Sequence, residues 1–447
     1  MRSSLPKMLH PLCGRPLVAW PILAAREAAA GRVAAIVSPG HDISAGLPED
    51  VETVTQEAAD GTGGAVRAAL PLIKESETVL VLSGDHPLIS AAVISGFLDA
   101  HAASDAAATM MTIELDDPGA YGRVVRSADG AIERVVEAKA GDAGEEELAI
   151  REINAGTYAF DAGPLAAALN GLSNDNAQGE YYLTDVFAAL RAAGHSVAGH
   201  RAEDFAVTMG VNNRVDLAAA EAEARRRLLE GHMLDGVTVV DPGSTWIDAG
   251  VEIAADARIE PGTSLRGATR IGEGATVGPL TTLVDSAVGA RSAVLHSYLV
   301  ECEVSEDCSV GPFAYLRPGA LLEDGAKAGT FVEIKNSHVG EGAKVPHLAY
   351  VGDADIGPGS NLGAGTITAN YDGFRKHRTV IGRDVRIGVD TMLIAPVEVG
   401  DSAYTGAGAV VKDDVPEGSL AVSENAQRNI DGYAAGKGAQ TKEDKEP

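Results

Sequence analysis

The strongest constraint on this chain is a six-residue period. From Ile247 to Val411 small aliphatic residues recur every six positions, often followed by Gly, as in Ile271-Gly272, Val277-Gly278, Val310-Gly311, Ile381-Gly382, Ile387-Gly388 and Val399-Gly400. The register runs through positions 247, 253, 259, 265, 271, 277 and 283. After five-residue steps it resumes at 304, 310, 316, 322, 328 and 334, and it returns from 381 to 411. Six residues make one short strand and a turn, and three such sides close a coil of about 18 residues whose aliphatic side chains stack inward. Each coil buries its face only against its neighbours. Periodicity alone fits an inert scaffold as well as an enzyme. The break between Thr366 and Ile381 favours an enzyme, because the stretch from Thr368 through Asn370, Tyr371 and Asp372 to Arg378 is too polar for a coil interior. Loops projected from a rigid scaffold commonly carry function.

Upstream of the repeat the pattern changes. Apolar runs at Val33 to Val37, Val79 to Leu82 and Ala155 to Phe160 alternate with Ala-rich stretches, which predicts an α/β domain with a largely parallel sheet. Asn212 and Asn213 can cap a helix running through Ala218, Ala222, Arg225 and Leu228 to about Gly231. The expected organisation is a first domain over 1–213, a linker helix over 214–234, a repeat domain over 235–428 and a disordered tail over 429–447, where no apolar period survives.

Charge narrows the ligands. Lys and Arg total 36 against 64 Asp and Glu, a net charge of -28 that weighs against nucleic acid and anionic membranes as partners. A phosphate-rich ligand must then be held by local basic groups, backbone amides or a metal. Arg317 and Lys335 are 18 residues apart, one coil, so they stack as two cations on one face, suited to a phosphate dianion or simply solvated. Cys13, Cys302 and Cys308 form no metal-spaced pair, as expected of a reduced, cytoplasmic protein. No run of 18 apolar residues appears, and Met1 is followed by Arg2-Ser3-Ser4-Leu5-Pro6-Lys7 rather than an apolar leader, so no membrane insertion is expected.

Two residues stand out chemically. Asp85 follows Val79-Leu80-Val81-Leu82-Ser83-Gly84, just past a buried strand, where open α/β sheets place ligands. With a distant Asn212 it would suffice for Mg²⁺, which takes few protein oxygens, although a plain turn Asp reads the same way. His347, in Val345-Pro346-His347-Leu348-Ala349-Tyr350, interrupts the repeat where a small residue would serve structure better, although a lone His is more often structural than catalytic. Imidazole is the side chain best suited to act as a general base near neutral pH.

Several segments share an order and spacing that resemble the bacterial bifunctional N-acetylglucosamine-1-phosphate uridylyltransferase and glucosamine-1-phosphate N-acetyltransferase family over nearly the whole chain. They are Leu5-Pro6-Lys7, Gln56 with Gly61-Thr62-Gly63, Tyr121-Gly122-Arg123, Glu137 with Lys139, Asn154-Ala155-Gly156, Asn176 to Tyr182 and Gly210 to Arg214. The resemblance implies an α/β, Rossmann-like nucleotidyltransferase domain followed by a left-handed parallel β-helix of hexapeptide repeats. It implies synthesis of UDP-N-acetylglucosamine from glucosamine 1-phosphate, with acetyl-CoA and UTP as co-substrates, Mg²⁺ and a homotrimer. By the same resemblance Gln56, Gly61 and Thr62 hold the uracil end, Gly122, Glu137 and Asn154 the sugar, Lys7 a phosphate, and Asp85 with Asn212 the metal. Arg317, Lys335, Tyr350 and Asn361 would hold the amino-sugar phosphate, His347 would take the amine proton, and Ala364, Asn370, Tyr371 and Ala407 would meet acetyl-CoA.

The chain departs from the family in three places. The family's first strand and Gly-rich loop, ending Gly-Thr-Arg-Met, has only its last Met here, as Met1, so an upstream segment is expected to belong to this domain. Val389 stands for a usual Ser, and Glu424 for an Arg that meets CoA phosphates, which predicts a raised CoA requirement unless Arg428 or the Arg375, Lys376, Arg378 group compensates. Two other readings remain at this level: an acetyltransferase with a degenerate first domain, and a non-catalytic assembly subunit.

Overall fold

The computed structural model describes all residues except 29, 41, 129, 137, 139–143, 176–177, 424–426, 428 and 434–447. Glu137, Lys139, Glu424, Arg428 and the tail beyond 433 therefore lie outside the described residues. The chain forms two compact units, Met1–Gly231 with Ile247–Gly250, and His232–Trp246 with Val251–Pro447.

In the first unit, a sheet of six described strands runs in the order Val197–Arg201, Ala108–Glu114, Glu152–Asp161, Arg123–Arg126, Ile132–Val136, with Thr78–Val81 also on Glu152–Asp161. The sheet is mixed, which corrects the largely parallel one expected. Glu152–Asp161 is antiparallel to both Thr78–Val81 and Ala108–Glu114. Arg123–Arg126 and Ile132–Val136 form an antiparallel pair closed by the Ser127 N–H on the Ala131 carbonyl at 2.9 Å. An apolar run specifies that a strand is buried but not which way it points. The parallel pairs are Val197–Arg201 on Ala108–Glu114, and a separate two-stranded sheet of Ala34–Val37 on Glu52–Thr55. Tyr158, Phe160 and Phe187 pack ring to ring at 5.6–6.1 Å beneath the sheet. Each such buried ring contributes on the order of 1.5–3 kcal/mol.

The helix Arg214–Leu234 is capped as the sequence suggests: the Asn213 side-chain oxygen accepts from the N–H groups of Val215 and Asp216 at 2.7 and 3.0 Å.

The second unit is a left-handed parallel β-helix whose described strands form sheets of eleven, ten and nine. Strands pair one coil apart, so that Val277, Val294, Val310, Ala328 and Val345 stack in register, as do Ile271, Val288, Val304, Leu322, Val339 and Ile356. All are buried, and these columns are the core. Corners that need left-handed backbone are often Asp or Asn, as at Asp307, Asn336, Asp353 and Asp384, whose short polar side chains tolerate it. The coil after Ile356 reaches its next register partner only at Ile381. The extra length is the loop predicted from the break in the repeat.

Candidate active sites

In the first unit the end of Thr78–Val81 leads to Asp85, whose carbonyl accepts the Val211 N–H at 2.9 Å and so ties it to the segment carrying Asn212. Lys7, in the 3-10 turn Lys7–Leu9, aims its ammonium at both: 2.7 Å to Asp85 Oδ2 and 3.2 Å to Asn212 Oδ1. Two oxygens therefore already converge on one cation. Hard oxygen donors of this kind suit Mg²⁺, which needs only one or two protein ligands. No cluster of three or more His, Cys, Asp or Glu that could hold a metal occurs among the described residues. Sequence reasoning passed over His86, next to Asp85. It is wedged where a methyl group on Gly210 would lie 2.8 Å from its Nε2, and burial pushes its pKa down against the pull of Asp85.

Gln56 is buried and donates to Asp60 Oδ1 at 2.8 Å and to the Gly61 carbonyl at 3.0 Å. Gly61 adopts φ +98° at the entrance to the helix Thr62–Ala68. Thr62 Oγ1 accepts the Leu183 N–H at 3.1 Å, and the Tyr181 backbone bonds to both Asp60 and Gly63. These three predicted residues thus share one turn with the segment 181–183. The Gly122 carbonyl accepts the Asn154 N–H at 3.0 Å, while the Asn154 side chain donates to the Tyr158 hydroxyl at 2.7 Å and accepts from Gly156 N–H at 2.9 Å. Gly156 in turn accepts from Ser83 at 3.2 Å, which links the Asn154 segment to the Asp85 turn.

In the second unit Arg317 and Lys335 lie on adjacent coils, since Leu316 pairs with Ile334 and the Arg317 N–H meets the Ile334 carbonyl at 2.9 Å. Their charged ends have separate partners. Arg317 donates to Glu333 at 2.7 Å, which raises its pKa, and Lys335 Nζ lies 3.8 Å from Asp353 Oδ2. Asp353 also accepts from Asn336 at 2.6 Å and from Asn370. Burial pushes its carboxyl pKa up, yet those two amides and the ammonium groups of Lys335 and Lys376 together hold it below the ordinary range. Tyr350 reaches the same corner, because a methyl group on Gly352 would overlap its hydroxyl and lie 2.8 Å from Asn370 Nδ2.

The inserted loop is tied at several points. Asp372 accepts from the N–H groups of Arg375 and Phe374 and pairs with His377, each at 2.7 Å, so its pKa falls to about 2. Arg378 is engaged by Asp355. Tyr371 is exposed and donates to the Gly373 carbonyl at 2.6 Å.

His347 ends the strand Lys344–His347, exposed at a corner before Leu348, and its carbonyl accepts the Gly365 N–H at 3.4 Å. Asn361 pairs with Lys344 on the next coil of that sheet. The Ala364 carbonyl accepts the Asp390 N–H at 2.7 Å, and the Val389 carbonyl accepts the Gly408 N–H at 2.8 Å. Ala364, Val389 and Ala407 therefore follow one corner through three coils. At that corner a methyl group on Gly363 would lie 2.6 Å from Val389 N, and one on Gly388 would lie 2.8 Å from Ala407 N. Val389 is half exposed, with a side chain that offers no hydrogen bond where a Ser could. All three cysteines are free and buried, with Cys13 pushed up to about 12 and Cys302 to about 11, chiefly by burial, so none is a ready nucleophile.

A MobA-like NTP transferase domain model matches residues 1–155. The curated protein "Bifunctional protein GlmU" of Corynebacterium efficiens is 48% identical, over 97% of this chain and 90% of its own. That of Mycolicibacterium vanbaalenii is 47% identical over 98% and 90%, and that of Brevibacillus brevis 46% over 97% and 94%. No described helix is long and apolar enough to cross a membrane.

Proposed function

The chain belongs to the bifunctional GlmU family of transferases, and on that footing we propose which of its residues carry each half of a two-step synthesis of UDP-N-acetylglucosamine. The family assignment disfavours both the acetyltransferase-only reading and the non-catalytic one. The observation that carries the residue assignment is the convergence of Lys335 and Asn370 on one carboxylate, with Tyr350 at the same corner, in a chain of net charge -28.

In the repeat domain, 235–428, Arg317, Lys335, Tyr350 and Asn361 hold the amino-sugar phosphate, while Ala364, Asn370, Tyr371 and Ala407 hold acetyl-CoA. The amine attacks the thioester carbonyl, its C–N bond forms as the C–S bond breaks, CoA leaves as the thiolate, and His347 takes the amine proton. In the first domain, 1–213, Gln56, Gly61 and Thr62 orient the uracil end, and Gly122 and Asn154 orient the sugar. Lys7 meets a phosphate, and the helix over 214–234 links the halves. The sugar-phosphate oxygen attacks the α-phosphorus of UTP and pyrophosphate leaves, a step that needs alignment and charge neutralisation rather than a protein nucleophile. Asp85 and Asn212 would hold Mg²⁺, which supplies that neutralisation when bound.

A homotrimer fits the exposed ridge at one corner of the β-helix, where the rings of Phe313 and Phe331 stack 5.3 Å apart with about half of each exposed, flanked by exposed Leu280 and Leu348. Buried, unpaired thiols fit a reducing compartment, the cytoplasm.

The test is His347→Ala. CoA thiol release with glucosamine 1-phosphate should fall at least about 100-fold, the range of a lost general base. Pyrophosphate release from UTP should be unchanged. Acetyl transfer surviving within tenfold would remove His347 as the base.

A further inference from the structure

We propose that Asp353 is a positioning residue that couples the amino-sugar phosphate pocket to the acetyl-donor loop. The inference rests on the assignment above of Lys335 to the phosphate and Asn370 to acetyl-CoA.

Asn336, Asp353 and Asn370 are spaced by 17 residues, one coil each, and stand above one another at a single corner. Asn336 and Asp353 both occupy left-handed backbone, φ +45° and +51°. Asp353 is 7% exposed, and an acidic side chain that deep is retained only with partners. It has them on both sides. Oδ1 accepts from Asn336 Nδ2 at 2.6 Å, and Oδ2 accepts from Asn370 Nδ2 and faces Lys335 Nζ at 3.8 Å. The carboxylate therefore fixes the first residue of the inserted loop with the same oxygen that steers the phosphate-binding lysine.

Its charge has a second consequence. Lys376, carried by that loop, sits against Lys335, and the neighbouring ammonium pushes its pKa down. Two ammonium groups repel each other, and Asp353 is the acidic partner that both face. The group of three retains one net positive charge, available to a phosphate dianion. Once the acceptor's phosphate engages Lys335 and Lys376, the repulsion is screened and the loop carrying Asn370 and Tyr371 is held down. Acceptor binding and donor binding are thereby linked through one side chain.

Asp353→Asn tests this. The new amide keeps the size but presents N–H groups where Asn336 and Asn370 already donate. In the full-length chain the KM for acetyl-CoA at saturating acceptor should rise about tenfold, the size of a lost charge-assisted hydrogen bond. The turnover number should stay within about threefold of the parent. A merely structural aspartate gives the opposite split, since partial unfolding lowers the active fraction and leaves KM alone. In an Asn370→Ala background the Asp353→Asn effect on that KM should largely disappear, as expected of residues acting as one unit. Should Asp353→Asn not fold, Asn336→Ala frees one carboxylate oxygen and should raise the same KM about threefold. A KM for acetyl-CoA unchanged in these variants, or equal additive effects in the two backgrounds, overturns the proposal. Failure of the underlying assignment looks different: the parent chain would then show no thiol release with glucosamine 1-phosphate at all.

Discussion

Gly61→Ala isolates the turn assigned to the uracil end. Gly61 has φ +98°, a conformation that costs a residue with a Cβ about 1–3 kcal/mol. The added methyl would lie 2.6 Å from the Tyr181 carbonyl oxygen and 2.9 Å from Glu180 Cβ, well inside contact distance. Tyr181 cannot retreat freely, because its carbonyl accepts the Gly63 N–H and its own N–H donates to Asp60, both at 2.7 Å. Relieving the clash breaks those bonds, at about 0.5–1.5 kcal/mol each. The local cost is therefore about 2–6 kcal/mol, and Gln56, hydrogen-bonded to Asp60 and to the Gly61 carbonyl, moves with the turn. Two kcal/mol corresponds to roughly a 30-fold weaker complex. Pyrophosphate release followed against UTP concentration should show a KM at least about 30-fold higher. CoA thiol release, which depends on the second unit, should stay within about twofold as an internal control. A UTP KM within about threefold of the parent refutes the placement of the uridine at this turn.

Three further outcomes are expected. Leu316→Ala, at a fully buried position stacked between Leu299 and Ile334, should lower urea stability by about 2–5 kcal/mol, and a loss under 1 kcal/mol would mean the coils are not close-packed there. Chelation by EDTA should stop pyrophosphate release, added Mg²⁺ should restore it, and thiol release should be indifferent; full pyrophosphate release in EDTA would remove Asp85 and Asn212 from a metal role. The Asp372 carboxyl is depressed from 3.8 to about 2, so the order it confers on the loop is present above the ordinary value and lost as pH falls through about 2. Amide exchange at Phe374 and Arg375 should accordingly remain protected down to about pH 4, and loss of that protection already at pH 5 would contradict the assignment.

The β-helix was legible because its inward positions repeat: Leu283, Val310, Leu316 and Ile387 are core residues at the phase read from the sequence. Position 253 is the instructive exception. Ile253 keeps the phase but is only half-buried, since it lies near the start of its sheet, where neighbouring coils are few. In the first unit, strand existence was legible and strand direction was not, because the ten-residue strand Glu152–Asp161 serves neighbours on both sides and no local pattern states its sense. Asp353 escaped notice because an Asp at a turn looks ordinary, although the 17-residue spacing of Asn336, Asp353 and Asn370 is the same kind of signal that aligned Arg317 with Lys335. His86 had no comparable signal, for two of the backbone positions that crowd it, Gly156 and Gly210, are remote in sequence.

The cations proposed to bind phosphates share one feature that bears on how so acidic a chain could do so. Lys7 is held by Asp85 and Asn212, Arg317 by Glu333, and Lys335 by Asp353. The Arg317–Glu333 side chains are each more than a third exposed, and pairs of that kind contribute about 0–1 kcal/mol, too little to account for them as stabilising devices. Their effect is better seen in what they spare. A free Lys or Arg surrenders up to about 2 kcal/mol of side-chain entropy when a ligand immobilises it, whereas one already aimed by a carboxylate has surrendered much of that beforehand. An incoming phosphate dianion exchanges a weak partner for a stronger one at little cost in order. The acidic residues around these sites thus hold each cation in position before a ligand arrives.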